Sequence, residues 1–212
     1  MSQSKLTRRV FLGSAAALTT SSLVVTAAQR DDHALTPHQE EGPFFPIHEQ
    51  LDKDADLTQV AGHANKASGE EIFVSGRILD EEGKPVEGAL IDVWQANSHG
   101  RYDHEGDSSK APLDPDFQGW AKLVSGDDGS YSIKTIKPAP YAARGEWFRP
   151  PHIHFKVARR GYNELITQMY FAGEALNDKD RLLNVVPKEQ QGGLIVDFDE
   201  GVGKFDIILA SV

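Results

Sequence analysis

The stretch Glu71-Ile72-Phe73-Val74-Ser75-Gly76-Arg77-Ile78-Leu79-Asp80-Glu81-Glu82-Gly83-Lys84-Pro85 decides how the chain is read. An apolar run from Ile72 to Leu79 gives way to Asp80 to Pro85, residues that adopt turn dihedrals cheaply. The same punctuation recurs downstream, with a second turn at Ser125-Gly126-Asp127-Asp128-Gly129-Ser130. Further candidate strands are Ala89 to Gln95, Trp120 to Val124, Tyr131 to Ile136, His152 to Ala158, Leu165 to Phe171 and Lys204 to Leu209. Short strands with hardly any helical periodicity predict an all-β fold. The expectation is a single antiparallel β-sandwich domain with long loops over 71–212, plus one helical turn around Asp180 to Val186. Before it, residues 29–70 are polar, with His33, His38, His48 and His63 scattered among Asp, Gln and Ala. They read as an extended N-terminal arm with one docking point, Gly42-Pro43-Phe44-Phe45-Pro46.

With 212 residues and 39% hydrophobic content, the chain can bury one real core. The formal charge of −10, spread along the sequence, disfavours nucleic acid or an anionic membrane as partner and suits a small organic substrate. No cysteine is present, which excludes thiolate metal sites, iron–sulfur clusters and cysteine nucleophiles. Any metal must therefore use His, Tyr, Asp or Glu. Residues 1–28 read as a twin-arginine signal peptide: Thr7-Arg8-Arg9-Val10-Phe11-Leu12, then a mild apolar stretch ending near Thr26-Ala27-Ala28. Ser and Thr interrupt that stretch and no stop-transfer pattern follows, so no stable membrane anchor is expected. The implied destination is the periplasm or the exterior, by a route resembling that of proteins that fold before export, often around a cofactor.

Chemistry concentrates in Trp147-Phe148-Arg149-Pro150-Pro151-His152-Ile153-His154-Phe155. His-x-His on a strand puts both imidazoles on one face, about 7 Å apart by strand rise. Alone the motif is weak, since paired histidines also occur as solvated strand residues. Two tyrosines on loops that follow strands strengthen it: Tyr102 in Gly100-Arg101-Tyr102-Asp103-His104, and Tyr141 in Lys137-Pro138-Ala139-Pro140-Tyr141. Either could instead be a half-buried loop anchor. A phenol of pKa near 10 is a poor ligand unless a strong Lewis acid holds its proton off. Fe(III) is such an acid, and two phenolates with two neutral imidazoles stabilise it over Fe(II) while leaving room for substrate.

These residues resemble the intradiol ring-cleavage dioxygenases, with a close match to the protocatechuate 3,4-dioxygenase type. The matching blocks are Val86 to Asn97 followed by Gly100-Arg101-Tyr102, then Ala111-Pro112-Leu113-Asp114-Pro115, Ile136-Lys137-Pro138, Arg149 to His154, and Leu165 to Phe171. The resemblance implies one Fe(III) per chain held by Tyr102, Tyr141, His152 and His154, with Tyr141 the ligand that leaves when substrate binds. It implies insertion of both atoms of O2 into a catechol-type ring to give a cis,cis-muconic acid. Arg149 would set a permanent cation beside that ring, with Gln168 as its hydrogen-bond partner. Gly42 and Pro43 resemble the family's N-terminal segment that closes over the site, and with Trp94 and Trp147 they are the expected substrate contacts. Assembly as a homo-oligomer, or as a hetero-oligomer with a paralogous chain, is also implied. The pattern departs at Ala142-Ala143, where the protocatechuate enzymes carry an aromatic residue, so a more open pocket is expected.

Two other readings compete. Val74 to Asp80, Pro85, Gly88-Ala89 and Asp128-Gly129-Ser130-Tyr131 also resemble the prealbumin-like modules of cell-surface proteins, which would make this a non-catalytic binding module of an exported protein. That reading explains the scaffold and leaves Tyr102, Tyr141, Arg149, His152 and His154 unused. Zinc hydrolysis on the same fold would require two phenolates, unusual zinc ligands, with no obvious carboxylate base.

Overall fold

The computed structural model describes residues 34–48, 50 and 52–212. The expected signal segment and His33 lie outside them. Twelve strands are formed among the described residues: β1 (Glu71–Asp80), β2 (Leu90–Trp94), β3 (Trp120–Val124), β4 (Ser130–Ile136), β5 (Tyr141–Arg144), β6 (Trp147–Arg149), β7 (His152–Ala158), β8 (Leu165–Phe171), β9 (Ile195–Val196), β10 (Phe198–Asp199), β11 (Val202–Lys204) and β12 (Ile207–Leu209). Two five-stranded sheets and the separate β5–β6 hairpin result.

The sandwich follows from period-2 burial. On β1, Ile72, Val74 and Ile78 are buried while Phe73 between them is half exposed. Their partners in one core are Ile133 of β4, Ile91 and Val93 of β2, and Ile153, Phe155 and Val157 of β7. In the first sheet β4 pairs antiparallel with β1 from Glu71↔Ile136 to Arg77↔Ser130. Along the other edge of β1 run β11 and then β12, both parallel, in one continuous register from Phe73↔Val202 to Asp80↔Leu209. The second sheet has the order β3-β2-β7-β8-β9, with β8–β9 also parallel. The sheets are thus mixed rather than wholly antiparallel. The long crossover that parallel pairing needs is available because β1 and β11 are far apart in sequence.

The expected strand Lys204 to Leu209 divides into β11 and β12 because the backbone ladder is interrupted at Phe205 and Asp206, where the Asp206 side chain takes the Arg77 N–H. There the Phe205 N–H donates to the Ser75 carbonyl at 2.8 Å and the Arg77 N–H to Asp206 Oδ1 at 2.9 Å. The expected helical turn is a 3₁₀ turn at Leu183–Val185, preceded by another at Asn177–Lys179 and followed by a short helix, α1 (Lys188–Gln191). The arm docks more broadly than at Gly42 to Pro46. Its Thr36 and Gln39 N–H groups donate to the carbonyls of Ile208 and Ile166, and Leu57 is fully buried in the core. These contacts satisfy edge carbonyls of β12 and β8 that would otherwise face solvent.

Candidate metal centre

On β7 the alternation that sends Ile153 and Phe155 into the core sends His152 and His154 out through the other face of the sheet. Register places Trp94↔His154↔Gln168 across β2, β7 and β8, and His152 opposite Tyr170. The loop bearing Tyr102, the β5–β6 hairpin bearing Tyr141 and Arg149, and the arm cover that face. The two tyrosine loops meet because Gly100, at φ +75, has no side chain: a Cβ there would lie 2.5 Å from the Pro140 carbonyl oxygen. The Tyr102 N–H donates to Asp107 Oδ2 at 2.8 Å, which fixes that loop.

The four side chains converge. Tyr102 Oη lies 3.4 Å from His152 Nε2, and the two imidazole rings are 4.9 Å apart. The Tyr102 and Tyr141 rings are 5.5 Å apart and nearly perpendicular; Tyr141 is 5.6 Å from His152, and Tyr102 is 6.2 Å from His154. Tyr102, His152 and His154 are buried, and Tyr141 is partly exposed. Burial, then the nearby Arg149 cation, pushes both imidazoles well below the usual histidine range, so each is neutral. Burial, then the facing Tyr141 phenol, pushes Tyr102 well up, and burial raises Tyr141 as well.

This donor set fits a metal. The His152 Nδ1–H donates to the Pro150 carbonyl at 2.7 Å, which turns the Nε2 lone pair toward Tyr102. Nδ1 of His154 is buried without a hydrogen-bond partner. Among the described residues no group of three or more His, Cys, Asp or Glu is placed to share an ion, so a metal here would need the phenols. Two phenols that must lose protons select a strongly Lewis-acidic, oxygen-preferring ion such as Fe(III).

Arg149 is buried against this centre. Its Nη1 approaches His152 Nε2 at 3.1 Å, and its Nη2 donates to Gln168 Oε1 at 2.7 Å, to Tyr170 Oη at 2.9 Å and to Asp180 Oδ2 at 3.0 Å. Nε donates to the same Asp180 oxygen at 3.1 Å. Burial works against the charge, but Tyr170, Asp180 and Tyr141 outweigh it and keep the guanidinium protonated. Asp180, Tyr170 and Gln39, whose Oε1 accepts from the Tyr170 hydroxyl at 3.0 Å, belong to this network and were missed by sequence reasoning. Asp180 lies in the polar run Asn177-Asp178-Lys179-Asp180-Arg181, where nothing distinguishes it from its solvated neighbours.

The expected substrate contacts separate. Gly42 lies against the centre, where a Cβ would sit 3.6 Å from His154 Cε1, and Phe44 beyond Pro43 stacks on Tyr102 at 4.7 Å. Trp147 sits on the hairpin 5.9 Å from the Arg149 guanidinium. Trp94 requires correction. It is 1% exposed and stacked on the His154 ring at 4.7 Å, so it backs that imidazole and offers no surface to a substrate.

A mixed β-sandwich carrying a buried cluster of two phenols, two imidazoles and a guanidinium over one sheet face has a donor set that fits a metal-using class of enzyme. The family model described as Dioxygenase matches residues 40–203. The chain is 41% identical over 167 residues to the protocatechuate 3,4-dioxygenase beta chain of Burkholderia cepacia, covering 74% of this chain and 71% of that one. It is 31% identical over 194 residues to hydroxyquinol 1,2-dioxygenase of Nocardioides simplex, covering 80% and 62% respectively. Among solved structures, the dioxygenase domain of a dioxygenase and carbohydrate-binding fusion from Streptomyces sp. SirexAA-E superposes with a TM-score of 0.61 at 31% identity, over 84% of this chain and 99% of that one. The fold is also that of 3-chlorocatechol 1,2-dioxygenase from Rhodococcus opacus, with a TM-score of 0.66 at 23% identity, over 85% and 75%. The chain belongs to the intradiol ring-cleavage dioxygenases, an enzyme family, which sets aside the reading of a non-catalytic module.

Proposed function

We propose that the chain binds one ferric ion through Tyr102, Tyr141, His152 and His154 and opens a catechol-type ring between its two hydroxyls, adding both atoms of O2 to give a cis,cis-muconic acid. The observation that carries this is the convergence of two phenols and two neutral imidazoles at one buried point, with a fixed guanidinium beside them. When bound, the iron would chelate both catechol oxygens and draw electron density from the ring, which activates it toward O2. Tyr141 is the partly exposed member of the set, on a short hairpin, so it is the side chain best able to swing away and accept a substrate hydroxyl proton at its Oη. Arg149, held by Asp180 and Gln168, offers a preorganised cation where negative charge develops on the ring. Phe44, stacked on Tyr102, and Gly42, against His154, close the site against water.

The test is ring cleavage of catechol by iron-loaded protein under ¹⁸O2, read by product mass. A muconic acid carrying two labelled oxygens supports the proposal; an aldehyde from cleavage outside the hydroxyls, or no ring opening, refutes it. Localisation and assembly belong to the same proposal. Arg8-Arg9 before an apolar stretch supports twin-arginine export to the periplasm or beyond. Changing both to Lys should leave the protein inside the cell. Leu90 and Val124, paired across β2 and β3 and 59% and 62% exposed, support assembly as a homo-oligomer or with a paralogous chain.

A further inference from the structure

Beside the centre lies an open groove of ≈620 Å³, lined by Arg144, Glu146, Trp147, Leu176, Lys179 and Arg181 among others. The β5–β6 hairpin joins it to the centre. Tyr141 pairs with Arg149 and Arg144 with Trp147 across the hairpin, and Trp147 and Arg149, two residues apart on β6, share a face. Asp180, buried, holds Arg149, and its neighbour Arg181 lines the groove 5.2 Å over the Trp147 ring. The ring lies within about 10 Å of His152 Nε2, two contacts and one bond away, a span that a short side chain on a bound catechol can cover.

The chemistry of the lining points to one kind of ligand. Arg144, Lys179 and Arg181 are exposed and form no ion pair among the described residues, although the chain carries a net charge of −10. Glu146 is the one acid among the lining residues named. Nε1 of Trp147 is buried with no hydrogen-bond partner, a desolvated donor left unsatisfied at the groove's aromatic residue. A flat apolar ring flanked by unpaired cations and an unused N–H suits an aryl or alkyl chain ending in a carboxylate.

We infer that this groove receives the anionic tail of the substrate, so that the enzyme acts on catechols bearing a side chain of two or three carbons that ends in a carboxylate. This rests on the ring-cleavage reading above, and the experiment separates the two. Catechol, 3-(3,4-dihydroxyphenyl)propanoate and its methyl ester are compared by kcat/KM on iron-loaded full chain, wild type and the double variant Arg181→Gln/Lys179→Gln. Binding of 3-phenylpropanoate, which lacks the chelating hydroxyls, is followed in parallel by calorimetry. The acid should exceed its ester by roughly tenfold through KM, the double variant should erase that ratio, and 3-phenylpropanoate should bind wild type roughly tenfold more tightly than the variant. Equal use of acid and ester, or a ratio and affinity that the variant leaves unchanged, overturns the groove's role while leaving ring cleavage in place. Failure to open any of the three rings is the result that sinks the ring-cleavage reading itself, and this inference with it.

Discussion

Arg149 is held by more hydrogen bonds than any role in packing requires, and each has a separable effect. Asp180 supplies the counter-charge, accepting from Nε and Nη2, and both partners are buried. Breaking such a pair from one side leaves an uncompensated charge, with a typical cost of about 3–5 kcal/mol. Asp180→Asn should therefore lower the denaturant midpoint and reduce turnover together, whereas Arg149→Ala should reduce turnover on the order of 10² or more. If Arg149→Ala turned over near normally, the cation would have no part in the reaction. The two tyrosines should separate as well. Iron bound to a phenolate absorbs in the visible, so Tyr102→Phe should bleach or shift the colour. Tyr141→Phe should keep iron, with the colour left by Tyr102, but slow catechol binding in stopped flow, and unchanged binding kinetics would remove it as the leaving ligand.

How far this centre could be read from sequence differs residue by residue. His152 and His154 were legible because strand geometry alone places i and i+2 on one face. Tyr102 and Tyr141 were legible through the family resemblance, since a tyrosine beside Gly or Pro has no distinctive pattern of its own. Trp94 was misplaced because burial depth on a sheet face cannot be read from an apolar run. Asp180 was invisible because its partner is 31 positions away and the contact depends on how two loops pack.

Among the strands, β3, β7 and β8 have the limits that the sequence predicts, each with Gly or Pro within two residues of an end. The hairpin β5–β6 escaped notice because Ala142-Ala143-Arg144-Gly145-Glu146 shows neither alternation nor apolar content, and its pairing is irregular between Ala142 and Arg144. Strands β9 and β10 have two residues each, too few to show a period. The split of β11 from β12 rests on Gly76. That residue holds an inward register position between Val74 and Ile78, yet a Cβ there would come within 1.9 Å of the Phe205 carbonyl oxygen. The clash is with backbone and cannot be relieved by a rotamer change. Gly76→Ala should cost at least about 1–3 kcal/mol. Gly119→Ala, whose Cβ would meet nothing closer than 3.9 Å, should stay within about 0.5 kcal/mol of wild type. Urea unfolding measures both, and equal midpoints would show that β1 and the Phe205 backbone can move apart freely.

The molecule separates what makes it fold from what makes it react. The main core, from Leu57 to Leu209, lies between the sheets and contains none of Tyr102, Tyr141, His152, His154 and Arg149. His152 and His154 lie on the outer face of β7, and Tyr102, Tyr141 and Arg149 reach it from the covering loop and hairpin, the two tyrosines packing in a smaller cluster with Trp94 and Trp120. A metal at that face would add binding energy to a structure that is already complete, unlike small domains that have no fold without their ion. Metal-free protein should therefore keep its strand circular dichroism and unfold cooperatively. Iron should raise the thermal midpoint by mass action. At a hundredfold excess over Kd the gain is about 2.7 kcal/mol, or about 5–10 °C for a domain of this size. The increment should shrink in Tyr102→Phe, which removes a proposed ligand, and persist in Gly119→Ala, which does not. Loss of strand signal on chelation, or an iron-independent midpoint, would show that the centre and the core are not the separate units their positions on opposite faces of β7 imply.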